Sequence, residues 1–285
     1  MKHAYLILAH NEFALLQTLV SCLDDERNDI FVHIDRKVKE LPELHCERAG
    51  LTILSERVDV RWGDFSMVEA EYALFRVAGA QGPYLYYHLL SGVDLPLKSQ
   101  DYIHGFFSER AGKEFIGYTL VDNTPELSRR MQRWHFFPRH FSRRRNGWSA
   151  VRALLLRIQE WLGIVRNKDV PFKKGSQWVS ITDDMLRWLL EHERWVQKTF
   201  THTFVPDECV VQTLAWISPY RKNLYDTESD AGGCMRAIGW RGNELEDWSA
   251  EDYGQLSSSS ALFARKFNSL DPAFIQKIVS LSASV

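Results

Sequence analysis

Two apolar runs near the start of the chain, Ala4–Ala9 (AYLILA) and Asp29–Ile34 (DIFVHI), decide the fold. Neither run has the spacing of an amphipathic helix, so each is predicted to be a buried strand. Between them, apolar residues recur at helical spacing over Glu12–Cys22. A strand–helix–strand unit of this kind builds a parallel sheet, and ligands bind at the carboxyl ends of its strands.

The rest of the chain continues this α/β pattern around one interruption. Apolar runs predict strands, and helical spacing predicts helices, as follows: strands Leu51–Leu54, Tyr84–Leu90, Phe115–Tyr118 and Trp178–Ile181, helices Ser66–Ala78, Asp183–Val196 and one beginning near Pro206. The tail, Ser257–Ser284, is predicted as one or two helices. We expect a single domain over 1–285, with a basic, aromatic and helical insertion at about 122–174.

Composition excludes several classes of protein. With 45% hydrophobic and 25% charged residues and a net charge of −2, the chain is globular and is not a polycation. Its four cysteines form no C-x-x-C pair, which favours a reducing compartment and argues against a zinc finger. The apolar start is too short for a signal peptide, and no run approaches the ~20 residues of a spanning helix. We therefore expect a cytoplasmic protein.

Several common catalytic motifs are missing. The sequence has no G-x-x-x-x-G-K-[ST] loop, no G-x-G-x-x-G after the first strand and no G-x-S-x-G elbow. These absences argue against P-loop, dinucleotide-binding and serine-hydrolase chemistry. A D-x-D pair, which would hold a divalent cation on a diphosphate, is also missing.

Polar residues at predicted strand ends and turns remain as candidates for a site. Asp35 follows the second strand, and Asp94 lies in a G-V-D-L-P turn. Glu208 lies in P-D-E at the start of a helix, where an acidic residue can simply complement the helix dipole. Arg236 can simply flank a short strand, and Arg265 and Lys266 in ALFARKF can be the solvated face of a terminal helix. From the residues alone, structural and functional interpretations of these residues stay open.

The motifs, taken in order, resemble the core-2/I-branching β-1,6-N-acetylglucosaminyltransferase and peptide O-xylosyltransferase family. They are YLILAHN, FVHIDRK, VRWGDFSMVEAEYAL, HLLSGVDLPLKS, KGSQWVSIT, TFVPDECVVQTL, MRAIGW and SSALFARKF. The resemblance covers some 260 residues, whereas Glu126–Lys174 matches poorly apart from its arginines. It implies a GT-A fold, in which a Rossmann-like nucleotide-binding sheet faces an acceptor-binding half.

The resemblance also implies an inverting transfer from a UDP-sugar without a bound metal, so no cofactor is expected. Glu208 matches the family's catalytic base. Asp35 matches its uridine-side carboxylate, with Leu8 and Ala9 beside it. Arg236 and Lys266 match the positions that bind the diphosphate. Such cations are what a metal-free site needs, because the departing UDP develops negative charge.

Acceptor residues carry over less completely. The resemblance places Arg130 and Arg133 in the acceptor cleft and Trp178 beside the sugar, while Asp94 stays open between turn and sugar contact. Because the chain has no anchor or stem like those of eukaryotic members, a bacterial enzyme of surface polysaccharide or lipid-linked oligosaccharide synthesis is expected. GlcNAc is the first expectation for the donor sugar, with xylose or another sugar as the alternative.

Two features of the insertion have competing interpretations. Arg129–Arg145 holds seven arginines interleaved with Trp134, Phe136, Phe137 and Phe141, a composition that also suits nucleic-acid binding. The enzyme pattern elsewhere argues against a nucleic-acid partner. Ser149–Lys168 has apolar residues and cations that fit either a helix packed on the core or an interfacial helix on an anionic membrane. Peripheral contact with the inner face of the cell membrane is therefore one expectation.

Overall fold

The computed structural model describes residues 1–119, 125–140, 147–242 and 244–283. The first part of the chain alternates strands and helices. The strands are β1 (His3–Ala9), β2 (Asn28–Ile34), β3 (Gly50–Ile53), β4 (Tyr86–Ser91) and β5 (Asp94–Pro96), and the helices are α1 (Phe13–Cys22), α2 (Ser66–Gln81) and α3 (Gln100–Glu109).

The second part is richer in helices. Its helices are α4 (Pro125–Met131), α5 (Gly147–Trp161), α6 (Asp183–Glu191), α7 (Glu193–Phe200), α8 (Val210–Ile217), α9 (Asp230–Cys234), α10 (Tyr253–Ser257) and α11 (Pro272–Ala283). Its strands are short: β6 (Ser180–Ile181), β7 (Arg236–Ile238), β8 (Trp240–Arg241), β9 (Glu244–Leu245) and β10 (Phe263–Arg265). Single 3₁₀ turns occur at Pro138–His140, Pro206–Glu208, Pro219–Asn223 and Ala250–Asp252.

The main sheet has five strands in the order β3-β2-β1-β4-β6. The first four are parallel, and β6 runs antiparallel to β4. Strand order reverses between β1 and β4, which is the place where open α/β sheets bind ligands. The α/β class and the Rossmann-like half predicted from the sequence are confirmed.

The main sheet is covered on both faces, as parallel sheets require. Strand β1 shows the arrangement, because its successive side chains alternate between two apolar cores. Leu6 and Leu8 pack with α2, α6 and α8, while Tyr5 and Ile7 pack with α1, α3, β10 and α11. The sheet is therefore a rigid base for whatever its strand ends carry.

Three predictions for the chain after the fourth strand are wrong. The tail is not wholly helical, because strand β10 lies between α10 and α11. This strand pairs parallel with β7 and antiparallel with β5. These three strands form a second small sheet. Phe115–Tyr118 is not a strand, since only Glu114 and Phe115 make isolated bridges. The helix predicted from Asp183 to Val196 is two helices, α6 and α7.

The insertion is helical in its described residues, as predicted. Only Leu156 and Gln159 of helix α5 are buried, so the helix contacts the rest of the protein through a narrow face. Its apolar residues Val151, Leu154, Ile158 and Trp161 are exposed. The interpretation of this helix as core packing is therefore wrong. Phe141 and Arg143–Arg145 lie outside the described residues.

Candidate active site

The carboxyl ends of β1, β2 and β4 meet at one edge of the main sheet. Main-chain bonds join them there: the amide of Asp35 donates to Ala9 at 2.9 Å and that of Gly92 to Leu8 at 2.9 Å. The Asp35 carboxylate is buried and accepts bonds from the amide and the ammonium of Lys37, at 2.8 and 2.7 Å. The three residues predicted for the uridine side thus lie together.

A second group of polar residues lies on the turn after β4. The Asp94 carboxylate accepts a bond from the amide of Ser91 at 3.0 Å and pairs with Nε of Arg265 at 3.2 Å. The Arg265 guanidinium lies over the Trp178 ring, 4.2 Å from its centre. Because Asp94 is only 1% exposed, the geometry supports its role as the turn anchor, and its contact with a sugar stays a prediction.

The two predicted diphosphate ligands differ in accessibility. Arg236 is 1% exposed, and its guanidinium donates to the carbonyls of Cys234 at 2.7 Å and Val179 at 3.2 Å, and to Oγ of Ser180 at 3.0 Å. The Arg236 side chain is therefore enclosed by the protein and does not reach the surface of the site. Lys266 reaches the surface and pairs with Asp247 at 2.8 Å.

From the sequence, Arg265 is interpreted together with Lys266 as the solvated face of a terminal helix. That interpretation is wrong, because Arg265 lies on strand β10 and only 14% of its side chain is exposed. Its neighbours Asp94 and Trp178 come from two distant segments. The ALFARKF motif contains both Arg265 and Lys266, but only the pairing of β10 in the sheet shows that Arg265 is the one that faces the turn.

Glu208 ends a strained turn that several bonds hold in place. Val205, which precedes Pro206–Glu208, has φ 53° and ψ 58°, a left-handed conformation that is rare for a β-branched residue. Such strain persists only where the surroundings enforce it and is common at functional sites. Helix α8, which follows, begins without a side-chain cap, but Glu208 lies just before its first turn, so the helix-dipole interpretation of Glu208 stays open.

The group that enforces the turn is the buried Arg130. Its guanidinium donates to the carbonyls of Phe204 at 3.2 Å and Val205 at 2.8 Å, and to the Glu208 carboxylate at 2.9 Å. Lys174 adds a second, longer ion pair to Glu208 at 3.8 Å. Arg130 was predicted to line the acceptor cleft. The structure places its guanidinium against the Glu208 carboxylate and the carbonyls of the turn, and its place in the acceptor cleft stays a prediction.

The segment Lys174–Trp178 joins the two halves of the site. The Gly175 amide donates to the carbonyl of Glu208 at 3.0 Å, and three residues later Trp178 lies under Arg265. Three virtual bonds span at most about 11 Å, so this segment keeps the Glu208 turn and Arg265 in the same part of the molecule. A side chain at Gly175 would collide with the carbonyl of Gly117, which explains the glycine.

Buried carboxyl groups underlie this segment. The Gln177 amide donates to Glu71 at 2.6 Å, and burial raises the pKa of Glu71 well above its usual value. Asp230 accepts the Ser176 amide at 2.7 Å, and burial likewise raises its pKa. The sequence analysis missed both residues and Lys174, although Lys174 opens the quoted KGSQW motif and Glu71 lies in MVEAEYAL.

The arginine-rich stretch does not form an open basic face in its described part. Arg129 pairs with Glu160 at 2.7 Å, Arg130 with Glu208, and Arg139 with Asp64 at 3.7 Å. Arg133 is half-buried and donates to the carbonyl of Gln132 at 3.1 Å. Arginines that are already paired with acids leave little charge for phosphates, which disfavours the nucleic-acid interpretation.

Two further findings concern metals and membranes. Among the described residues, no group of three or more His, Cys, Asp or Glu side chains is arranged to hold a metal ion. Within the same part of the chain, every helix is too short or too polar to cross a bilayer.

Comparison with known proteins identifies a family. The family model described as Core-2/I-Branching enzyme matches residues 3–279. Among solved structures, the crystal structure of mouse xyloside xylosyltransferase 1 in its apo form is similar at 9% identity and a TM-score of 0.41, over 92% of this chain and 96% of that chain. None of the curated protein sequences matches the chain.

Proposed function

The chain belongs to the core-2/I-branching enzyme family of glycosyltransferases, and on that premise we propose that it transfers a sugar from a UDP-sugar to an acceptor hydroxyl, with inversion and without a metal ion. We propose GlcNAc as the donor sugar, since the resemblance favours it, with xylose or another sugar as the alternative. The acceptor is a glycan of a surface polysaccharide or a lipid-linked oligosaccharide.

The observation that carries the proposal is the partly exposed Glu208 carboxylate, which the buried Arg130 holds at 2.9 Å. An acceptor hydroxyl has a high pKa and needs a nearby carboxylate to take its proton as it attacks. Glu208 is the proposed acceptor of that proton. Attack from the Glu208 side, with UDP departing toward the opposite side, breaks the bond to the diphosphate and inverts the anomeric carbon.

The leaving diphosphate needs positive charge. Lys266 at the surface, Arg265 beside Asp94 and Arg236 beneath them form a cationic group around β10 and β7. We propose that Lys266 and Arg265 contact the diphosphate, and that Arg236 contacts it only after leaving its main-chain carbonyls. Asp35, Leu8 and Ala9 take the uridine at the edge of the sheet.

A panel of UDP-sugars tests this function. UDP release and thermal shift are measured with UDP-GlcNAc, UDP-xylose, UDP-galactose and UDP-glucose, each with and without EDTA. We expect one UDP-sugar to be preferred, and its turnover to survive EDTA. Activity that requires millimolar Mn²⁺ or Mg²⁺ would contradict the metal-independent mechanism, and a preference for UDP-xylose would replace GlcNAc as the donor.

We also propose that the enzyme meets a lipid-linked acceptor at an anionic membrane through α5. Val151, Leu154, Ile158 and Trp161 recur at spacings of three and four residues, so they share one helix face. That face is exposed, with Trp161 84% exposed. Apolar residues with a Trp, flanked by cations, are typical of a helix that lies in a membrane interface.

Cations beside this face select an anionic surface. Arg157, on the same helix, and Lys168, in the segment that follows it, are exposed. Each basic residue near an anionic bilayer adds about 1 kcal/mol of binding free energy. Co-sedimentation with vesicles with and without anionic lipid tests the contact. We expect binding to anionic vesicles that Leu154→Glu and Trp161→Glu abolish, whereas Tyr102→Glu, at an exposed aromatic on α3, leaves it intact.

A further inference from the structure

A pocket of about 430 Å³ lies beside the Glu208 turn and outside the residues assigned above. Three segments line it: the start of α2, the 3₁₀ turn of the insertion and the residues after α7. The lining side chains include Phe65, Glu69, Phe136, Phe137 and His202. This volume is in the range of small-molecule sites, about 300–1,000 Å³.

The pocket combines aromatic rings with carboxylates. Phe136 and Phe137 are 43% and 56% exposed. Asp64 is buried at the pocket wall, and partial desolvation together with the nearby Asp64 carboxylate raises the pKa of Glu69. Such a lining is complementary to a hexose, because the rings can pack on the C–H face of the sugar and the carboxylates can accept hydrogen bonds from its hydroxyls. An apolar lipid tail would offer the Glu69 carboxylate no hydrogen-bond donor.

The backbone of Phe137 has a strained conformation. Its φ of 58° is left-handed, an outlier for a bulky aromatic residue, and its ring is still more than half exposed. Burial therefore does not account for the strain. The Trp148 ring of α5 lies against Phe137, with 5.5 Å between the ring centres. A strained, exposed ring that its neighbours support is a feature of binding sites.

The pocket is close to the base. The amide of Val205 donates to the carbonyl of Gly63 at 3.0 Å, and Gly63 directly precedes Asp64 of the pocket. Gly63 has φ 75°, and a side chain there would collide with the Phe204 ring, so the two loops are in direct contact. Glu208 is three residues after Val205, at most about 11 Å away. A short oligosaccharide can reach from the pocket to the base.

We propose that this pocket is an acceptor subsite, which binds the sugar residues of the acceptor glycan that follow the one being glycosylated. The inference rests on the proposed transferase function and extends it. The two carboxylates outnumber the single guanidinium of Arg139, so the subsite selects neutral or amino-bearing sugars over glycans that carry carboxylate or phosphate groups. Helix α5 borders the subsite, which places it on the side where a lipid-linked glycan would arrive.

The test measures binding of oligosaccharides rather than activity. Fluorescently labelled di-, tri- and tetrasaccharides of neutral, amino and uronic-acid sugars, with a labelled monosaccharide, are titrated in the presence of UDP. The proteins compared are the wild type, Phe137→Ala, Glu69→Gln and the control Tyr102→Ala. Because Phe137 is exposed, Phe137→Ala should melt at the wild-type temperature, which is checked first.

We expect Phe137→Ala to weaken oligosaccharide binding about tenfold, equivalent to 1.4 kcal/mol. Monosaccharide and UDP binding should not change, and Tyr102→Ala should match the wild type. Equal affinities in Phe137→Ala and the wild type would overturn the subsite, as would a wild-type protein that binds UDP but none of the oligosaccharides. A preference for the uronic-acid sugars would overturn its assigned ligand class. Failure of the wild type to bind UDP or any UDP-sugar would instead count against the transferase function.

Discussion

Replacing Arg130 by alanine separates two roles for this side chain, orienting the base and binding the acceptor. The substitution removes the bonds to the carbonyls of Phe204 and Val205 and the ion pair to Glu208. Losing one partner of a buried ion pair costs about 3–5 kcal/mol. Because 34% of the Glu208 side chain is exposed, solvent screens the charge left behind, and we expect a loss of about 2–3 kcal/mol in the free energy of unfolding.

The larger effect should be on turnover. A base displaced by about 1 Å can lose roughly 10²-fold in rate, so kcat should fall by about that factor while UDP affinity is unchanged. Steady-state kinetics at 20 °C, below the onset of unfolding, and a UDP titration measure the two quantities. The matched control is Arg129→Ala, which removes an adjacent arginine that pairs with Glu160 instead. A normal kcat with a raised acceptor KM would refute the orienting role and restore the acceptor-cleft interpretation.

Three further perturbations follow from the geometry. If Arg265 and Lys266 stabilise the leaving diphosphate, Arg265→Ala and Lys266→Ala should each lower turnover by about 10²–10³-fold. A variant whose turnover stays within threefold of the wild type would exclude that residue as a diphosphate ligand. Burial raises the pKa of Glu114 to about 7 from 4.5, so the native carboxyl keeps a proton that the unfolded chain releases. The free energy of unfolding should therefore fall by up to about 3 kcal/mol between pH 4.5 and pH 7 from this group, and denaturant titrations of Glu114→Gln should lack that part of the slope.

The sequence was sufficient to predict the main sheet. β1, β2 and β4 are continuous apolar runs, and a strand buried on both faces needs only such a run. The tail was mispredicted because β10 has three residues, and its pairing with β5 and β7 joins segments far apart in sequence. No local pattern carries that information.

The sequence identifies candidate site residues but not their arrangement. Glu208 and Asp35 were identified through their motifs, and the structure places each on a turn that fixes it. Tertiary packing determines that Arg130 lies against Glu208, and that Arg236 is buried while Arg265 faces the turn. Likewise, the spacing of apolar residues in α5 is the same whether they pack on the core or are exposed, so the sequence alone does not distinguish the two.

The most direct test of the central claim is the transfer rate of Glu208→Gln. Glutamine keeps the shape of the side chain and can still meet Arg130 through its amide oxygen, but it accepts no proton from the attacking hydroxyl. Turnover with the preferred UDP-sugar should fall by about 10²–10⁴-fold, while UDP binds with wild-type affinity. Transfer at a near-normal rate by this variant would contradict the account, because the carboxylate would then not be the base.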